Sequence, residues 1–376
     1  MIRFLDLAAQ YHELKTEIDQ AVARVLESGQ YVGGREVTAL EEEFASYCGA
    51  KYGVAVNSGT SALHLALLAA GIQPGDEVIT VPFTFYATVA TIGYVGALPV
   101  YVDIDPATFN IDASKIEAAI TARTRAILLV HLYGQCADMA PILDIARRHK
   151  LAVIEDAAQA HGAEYHGRRA GGIGDIGCFS FYPTKNLGAA GEGGMLTTNN
   201  PEYARTAALL RSWGEEQRYH PSLKGFNYRL PALQAAILRV KLPRLEQWIE
   251  ARRALVREYD RLLEHSNVTR PHALPEARHV YCLYTIRTAG RDALQRGLEA
   301  AGIQSAVHYP LPIHLMTAYA DARYKAGDFP VAEECARTVL SLPLYSHLPA
   351  EQVEQVAAKI CALTSKKVQE PVASGR

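Results

Sequence analysis

Lys185 lies within SFYPTKNLGAAGEGGM, Ser180 to Met195, between a short apolar run and a glycine-rich loop. Gly177 to Phe181 are β-compatible, and Pro183 stops strand pairing because it lacks an N–H. An amine two residues beyond that stop sits on a turn past a strand end, where partial desolvation makes it a nucleophile or a Schiff-base former. A lone lysine is ordinarily a solvated surface group, so its neighbours decide what it does.

Four other stretches bear on that decision. In NSGTSAL, Asn57 to Leu63, a strand gives way to a helix, so unpaired N–H groups and the positive end of a dipole face the turn, where Thr60 and Ser61 add hydroxyls. The same residues would also serve as a plain helix cap. In AVIEDAAQAHGA, Ala152 to Ala163, a buried strand ends at Glu155 and Asp156, and a carboxylate at the C-terminal end of a parallel strand points into the ligand crevice. Asp156 could pair there with a protonated ring nitrogen. His161 is read as a hydrogen-bonded helix residue, since a metal site would need a third ligand beside it and Asp156. PFTFYAT, Pro82 to Thr88, brings Phe83, Phe85 and Tyr86 to another strand exit, where a ring can stack on a flat cofactor or fill the core. GFNYRLPALQAA, Gly225 to Ala236, offers Asn227 and Arg229, polar donors that matter if a neighbouring chain needs them.

Neither GxGxxG nor GxxxxGK[ST] occurs, which counts against dinucleotide and P-loop chemistry. One lysine, one strand-end carboxylate, one anion-binding helix start and one aromatic platform suit pyridoxal 5'-phosphate. Its phosphate would anchor at the helix start, Asp156 would keep the pyridine nitrogen protonated, and Lys185 would hold the aldehyde as an imine.

These residues need a scaffold that gathers strand ends. Short Val/Ile/Leu runs alternate with helical patterns up to about residue 200: strands Val78–Val81, Pro99–Val102, Ala126–Val130 and Ala152–Glu155, with helices Tyr86–Val95, Ala113–Ile120 and Met139–His149. Such apolar strands predict a mostly parallel sheet covered on both faces, an α/β class. Before them come an opening strand, a helix carrying Leu14, Ile18, Ala21 and Leu26, a break at Gln30–Arg35, and a second helix from Ala39 capped by Thr38 and Glu41. A helical stretch from Pro231 to about Leu263, interrupted at Pro243, leads to a strand Val280–Arg287, a helix Arg291–Ala301, a loop Ser305–Met316 and helices near Val331–Leu340 and Ala350–Leu363. The tail beyond Ser365 is expected to fray. At 376 residues a large unit, 1–245, and a smaller C-terminal α+β unit, 246–376, are expected.

A formal net charge of −2 gives no electrostatic case for a nucleic-acid partner. The six dispersed cysteines, the helix pattern directly after Met1 and the lack of a long apolar run predict a reduced cytoplasmic setting without signal, anchor or membrane span.

Over nearly its full length the chain resembles the sugar aminotransferases of the DegT/DnrJ/EryC1/StrS family. The resemblance is carried by NSGTSALHLAL, PFTFYATVATI, VYVDIDPATFNID, HLYGQCADM, VIEDAAQAHGA, GCFSFYPTKNLGAAGEGGML and GFNYRLPALQAA. It implies the aspartate-aminotransferase type of fold, fold type I. Residue by residue, it makes Lys185 the Schiff-base lysine and Asp156 the partner of the pyridine nitrogen. Gln159 is similar to the residue beside the ring hydroxyl and Phe85 to the stacking aromatic, while Thr60, Ser61 and Ser180 would bind the phosphate. Asn227 would reach the phosphate in the other subunit, making a homodimer with two shared sites. Tyr182, His308 and Tyr309 match residues near the hexose in relatives that act at the third carbon.

The function this implies is transfer of the amino group of L-glutamate, through pyridoxamine phosphate, to a nucleotide-linked keto-sugar, best matched by a 3-keto-6-deoxyhexose on thymidine diphosphate. The setting would be amino-sugar biosynthesis for a surface polysaccharide or a glycosylated natural product. A 4-keto hexose, a 3-keto hexuronate or a cyclitol would fit the same scaffold. Dehydratases of this fold carry histidine where the chain has Lys185, which favours transfer. A non-catalytic regulator would need a DNA-reading or docking module, and neither a basic patch nor an extra domain is visible.

Overall fold

The computed structural model describes residues 1–365, so the tail expected to fray lies outside the described residues. The expected central sheet is present, with seven strands: β1 (Tyr52–Val56), β2 (Glu77–Thr80), β3 (Leu98–Tyr101), β4 (Thr124–Val130), β5 (Ala152–Asp156), β6 (Ile176–Ser180) and β7 (Gly194–Thr198). Their spatial order is β1-β7-β6-β5-β4-β2-β3. All run parallel except β7, which lies antiparallel between β1 and β6. Register places Val130 beside Asp156 and Asp156 beside Cys178, so β4 and β5 end side by side and β6 runs two residues further, to Ser180.

The sheet is buried on both faces, as runs such as Ile127–Val130 require. One face packs on Leu63, Leu67 and Ile92, from α3 (Gly59–Ala69) and α4 (Ala87–Tyr94). The other packs on Phe44, Ile142 and Ile145, from α2 (Arg35–Cys48) and α5 (Met139–His149). A further apolar cluster gathers Tyr259, Tyr284, Leu298, Leu340 and Ile360 around the antiparallel pair β8 (Tyr284–Arg287) and β9 (Val339–Leu342).

Several local expectations need correcting. In α1 (Lys15–Ser28) the buried stripe is Ile18, Ala21 and Val25, while Leu26 faces out at 52% exposure. The box at Thr38 and Glu41 does not form, because α2 starts at Arg35 from Gly34 (φ 81°) and the Thr38 N–H already bonds to the Gly34 carbonyl. Glu41 instead accepts from the Ala55 N–H and pairs with Arg211. Ala113–Ile120 is two 3₁₀ turns, Ala113–Lys115 and Glu117–Ala119, with Ile116 as its only fully buried side chain. The strand expected at Val280 begins at Tyr284, and the helix near Val331 ends at Thr338, where β9 takes over.

Other expectations are met. Met139–His149 is a helix from end to end. The long stretch splits at Pro243 into α6 (Ala232–Lys241) and α7 (Leu245–Leu262), joined by a 3₁₀ turn.

Candidate active site

A cavity of about 650 Å³ opens at the C-terminal ends of β4, β5 and β6. Its wall includes Thr60, Phe85, Asp156, Gln159, Ser180, Tyr182, Lys185, His308 and Tyr309, so nine of the eleven candidate residues meet in one place. Ser61 and Asn227 are not on that wall.

Lys185 sits on the turn after β6, its main-chain N–H bonded to the Tyr182 carbonyl. It is half-buried, and among the described residues no carboxylate lies within ion-pair distance of its amine. Asp156, the last residue of β5, is buried beneath the cavity. Thr88 Oγ1 donates to its Oδ2 at 2.8 Å and the Ala158 N–H to its Oδ1 at 3.2 Å. Burial raises its pKa, and the bonds from Thr88 and Ala158 and the charge of Lys185 only partly offset that rise. A buried carboxylate with a raised proton affinity calls for a cation, and a protonated pyridine nitrogen is one.

The helix start is built from small residues. Ser58 caps α3, its Oγ accepting from the Ser61 N–H at 3.0 Å, which leaves the Gly59 and Thr60 N–H groups at the cavity without a helical partner. Ser61 lies behind, its hydroxyl donating to Asn57 Oδ1 at 2.6 Å, so the structure withdraws its side chain from the cavity. A Cβ added to Gly59 would stand 2.7 Å from Ser180 Cβ, and one on Gly194 would stand 2.4 Å from the Ser58 carbonyl, so only glycine fits the close approach of these segments. Bare N–H donors at a dipole's positive end suit a phosphate.

Phe85 is 43% exposed and turns toward the cavity, its ring 6.0 Å from that of Tyr309. Phe83 is fully buried and belongs to the core. Gln159 Nε2 donates to Tyr309 Oη at 3.0 Å. His308 Nδ1 lies 3.0 Å from Ser341 Oγ, and burial together with the charge of Lys185 lowers the His308 pKa to about 4, so the ring is neutral. Tyr182 is half exposed at the rim. Asn227 lies outside, with its Oδ1 accepting from Arg229 Nε at 3.0 Å and Nη2 at 2.8 Å.

Two neighbouring expectations change. Glu155 does not face the crevice, because on a strand it points opposite to Asp156. It binds His131 Nε2 at 2.8 Å and accepts from the N–H groups of Gly171, Ile173 and Gly174. His161 sits in a turn rather than a helix, packed against Phe44, Phe179 and Phe181, and neither ring nitrogen has a hydrogen-bond partner. Burial lowers its pKa to about 3. No cluster of three or more metal-ligating side chains occurs among the described residues, and no helix among them is long and apolar enough to cross a membrane.

Thr88 and Tyr133 were not singled out from the sequence. Thr88 closes the aromatic stretch in the first turn of α4, where its hydroxyl reaches Asp156, and Tyr133 carries a positive φ of 58° that nothing in its residue type announces.

The DegT/DnrJ/EryC1/StrS aminotransferase family pattern matches residues 12–361. A Geobacillus stearothermophilus protein named pleiotropic regulatory protein is 48% identical over 362 residues, 96% of this chain and 97% of that one. The dTDP-3-amino-3,4,6-trideoxy-alpha-D-glucose transaminase of Streptomyces venezuelae is 46% identical over 356 residues, 94% of each chain. The crystal structure of S. venezuelae DesV in complex with a ketimine intermediate superposes with a TM-score of 0.96 at 45% identity, covering 97% of this chain and 99% of that one. NtdA from Bacillus subtilis, with bound cofactor PMP, gives 0.90 at 32% identity, covering 97% and 85%. The chain belongs to the DegT/DnrJ/EryC1/StrS aminotransferase family and is a pyridoxal phosphate-dependent aminotransferase.

Proposed function

We propose that this aminotransferase moves the amino group of L-glutamate to a nucleotide-linked keto-sugar, with a dTDP-linked 3-keto-6-deoxyhexose as its preferred acceptor, in cytoplasmic amino-sugar biosynthesis. The observation that carries the reading is the cavity wall. Lys185 and Asp156 share a space large enough for a sugar, and its remaining polar lining is hydroxyl, amide and neutral imidazole, with Glu192 as the one further carboxylate. The Streptomyces relative's dTDP-sugar activity points the same way.

Pyridoxal phosphate, when bound, supplies the electron sink that lets a proton leave the donor's α-carbon. In this reading the amine of Lys185 takes that proton and returns it, while Asp156 holds the positive charge of the ring nitrogen. The Gly59 and Thr60 N–H groups, with the Thr60 and Ser180 hydroxyls, bind the phosphate. Ser61 serves only by bracing the turn. Phe85 covers the ring, Gln159 stands by its hydroxyl, and Tyr182, His308 and Tyr309 meet the hexose. Asn227, outside its own chain's cavity, reaches a second copy's phosphate, so that the working unit is a homodimer with two shared sites. The division into 1–245 and 246–376 belongs to the same reading, and the start of α7 at Leu245 supports it.

The test supplies L-glutamate with a panel of dTDP- and UDP-linked 3-keto and 4-keto sugars, hexuronates included. One 2-oxoglutarate per aminated sugar is expected, fastest with the dTDP-3-keto-6-deoxyhexose. A clear preference for a 4-keto sugar or a hexuronate would overturn the acceptor assignment, and no 2-oxoglutarate with any sugar would overturn the reading.

A further inference from the structure

Tyr133 bonds on one side to Gln159 and on the other to the main chain of His308, the neighbour of Tyr309. It follows β4 in a 3₁₀ turn, Leu132–Gly134, buried and in the left-handed region at φ 58°. A non-glycine residue held there is strained and persists where the surroundings demand it. In this conformation its main-chain N–H donates to Gln159 Oε1 at 2.7 Å, and its hydroxyl donates to the His308 carbonyl. Tyr133 thus ties Gln159, just after β5, to the His308–Tyr309 segment.

These contacts fix a direction. A main-chain N–H can only donate, so the oxygen end of the Gln159 amide must face Tyr133. The NH₂ end must then face Tyr309, 3.0 Å away, and the Tyr309 oxygen must accept. The proton of that phenol is left over. Burial holds the phenol pKa far above the working range, so the proton stays on the oxygen. Among the described residues no acceptor lies within reach of it, and the side of the ring that remains open is the cavity shared with Asp156 and Lys185. The hydroxyl therefore reaches the cavity with its proton free to donate.

Resting on the functional reading above, we infer that Tyr309 donates this hydrogen bond to the carbonyl oxygen of the acceptor sugar, and that Tyr133 and Gln159 are the positioning residues that set its direction. A carbonyl oxygen can only accept, so it complements this uncommitted proton. An alcohol would bind with either polarity, whereas a carbonyl needs the proton that this phenol presents. Polarising that bond also favours attack by an amine at its carbon.

The test is a double-mutant cycle read in binding rather than turnover. The keto-sugar is titrated by calorimetry into the pyridoxal phosphate form, which cannot turn over without an amino donor. In the wild-type background Tyr309→Phe should weaken binding roughly five- to tenfold. Gln159→Glu presents a carboxylate to Tyr309, draws its proton inward and should reduce the Tyr309→Phe penalty to less than twofold. An unchanged penalty in that background, or no penalty in the wild type, would overturn the inference. Should Gln159→Glu fail to fold or to take up cofactor, the same Tyr309→Phe pair is titrated with an analogue bearing CH₂ in place of the carbonyl. The penalty should vanish, and its persistence would overturn the inference. A wild type that aminates no keto-sugar would sink the functional reading instead, whereas a competent wild type with an additive cycle would sink this inference alone.

Discussion

Thr88 Oγ1 donates to Asp156 Oδ2 at 2.8 Å beneath the floor of the cavity, and Thr84 Oγ1 lies 3.2 Å behind Thr88 Oγ1. Thr88 is fully buried, so its proton has no solvent alternative. A carboxylate can only accept, so the Thr88 hydroxyl is committed to Asp156 and Thr84 is left to donate to Thr88. The pair aims Asp156 and lowers the cost of keeping it ionised.

Replacing Thr88 with Val keeps the shape and deletes the donor. A hydrogen bond to a charged group contributes about 1.5–3 kcal/mol, so turnover should fall by roughly tenfold or more, while Thr88→Ser should recover most of it. Steady-state rates checked against unchanged melting temperatures test this. Equal rates for Val and Ser would show that the bond is idle.

Gly59 is held close to Ser180 by space rather than by φ. Gly59→Ala is favourable for a helix by about 1 kcal/mol, yet its Cβ would collide with Ser180 at 2.7 Å. Loss of cofactor affinity without loss of helix content is therefore expected. Equilibrium dialysis against pyridoxal phosphate measures it, and wild-type affinity would mean that the cradle has slack.

Sequence and structure agree where a side-chain pattern repeats locally and part where a contact spans the chain. The βα alternation is visible because strands such as Ile127–Val130 are buried on both faces and so are apolar throughout. Lys185 and Asp156 are legible because each stands beside a strand end that Pro183 or a break in apolarity marks. The antiparallel β7, GMLTT, follows directly on a glycine-rich loop and carries only two apolar side chains, so it does not declare itself. Gly34 moved the start of α2 because a backbone turn outranked the capping residues at Thr38 and Glu41. Thr88 and Asp156 stand 68 positions apart, and Gln159 and Tyr309 stand 150 apart, so no spacing rule links them.

Glu155 is a structural carboxylate. Burial alone would raise its pKa, but the His131 bond and the N–H groups of Gly171 and Gly174 outweigh it and the pKa falls below the ordinary value. A carboxyl depressed in the fold contributes stability that is complete above its unfolded pKa of about 4.3 and is lost as pH falls through the folded value. Glu155→Gln should cost about 3 kcal/mol at neutral pH and remove this part of the acid sensitivity. Denaturant melts from pH 3 to pH 7 would show it, and parallel pH curves for the two proteins would refute it.

Lys241 is buried, donates to the Gly188 carbonyl at 2.7 Å in the loop after Lys185, and is lowered by burial to a pKa of about 8. Below pH 8 the fold carries the cost of a buried cation. As pH rises from about 8 toward the unfolded value of about 10.4 the folded chain sheds that proton first, so stability rises. Relative to Lys241→Met, the wild type should gain on the order of 1–3 kcal/mol across that window. A difference in stability that stays flat from pH 7.5 to pH 10.5 would contradict it.

Everything rests on the amine at position 185 forming the carbon–nitrogen bond to the cofactor. The protein is incubated with pyridoxal phosphate, reduced with borohydride and digested, and the labelled peptide is sequenced by mass spectrometry. The label is expected on Lys185, stoichiometrically, and absent from Lys185→Ala. A label spread over other lysines, or an unmodified Lys185 in a protein that still turns over, would contradict the account.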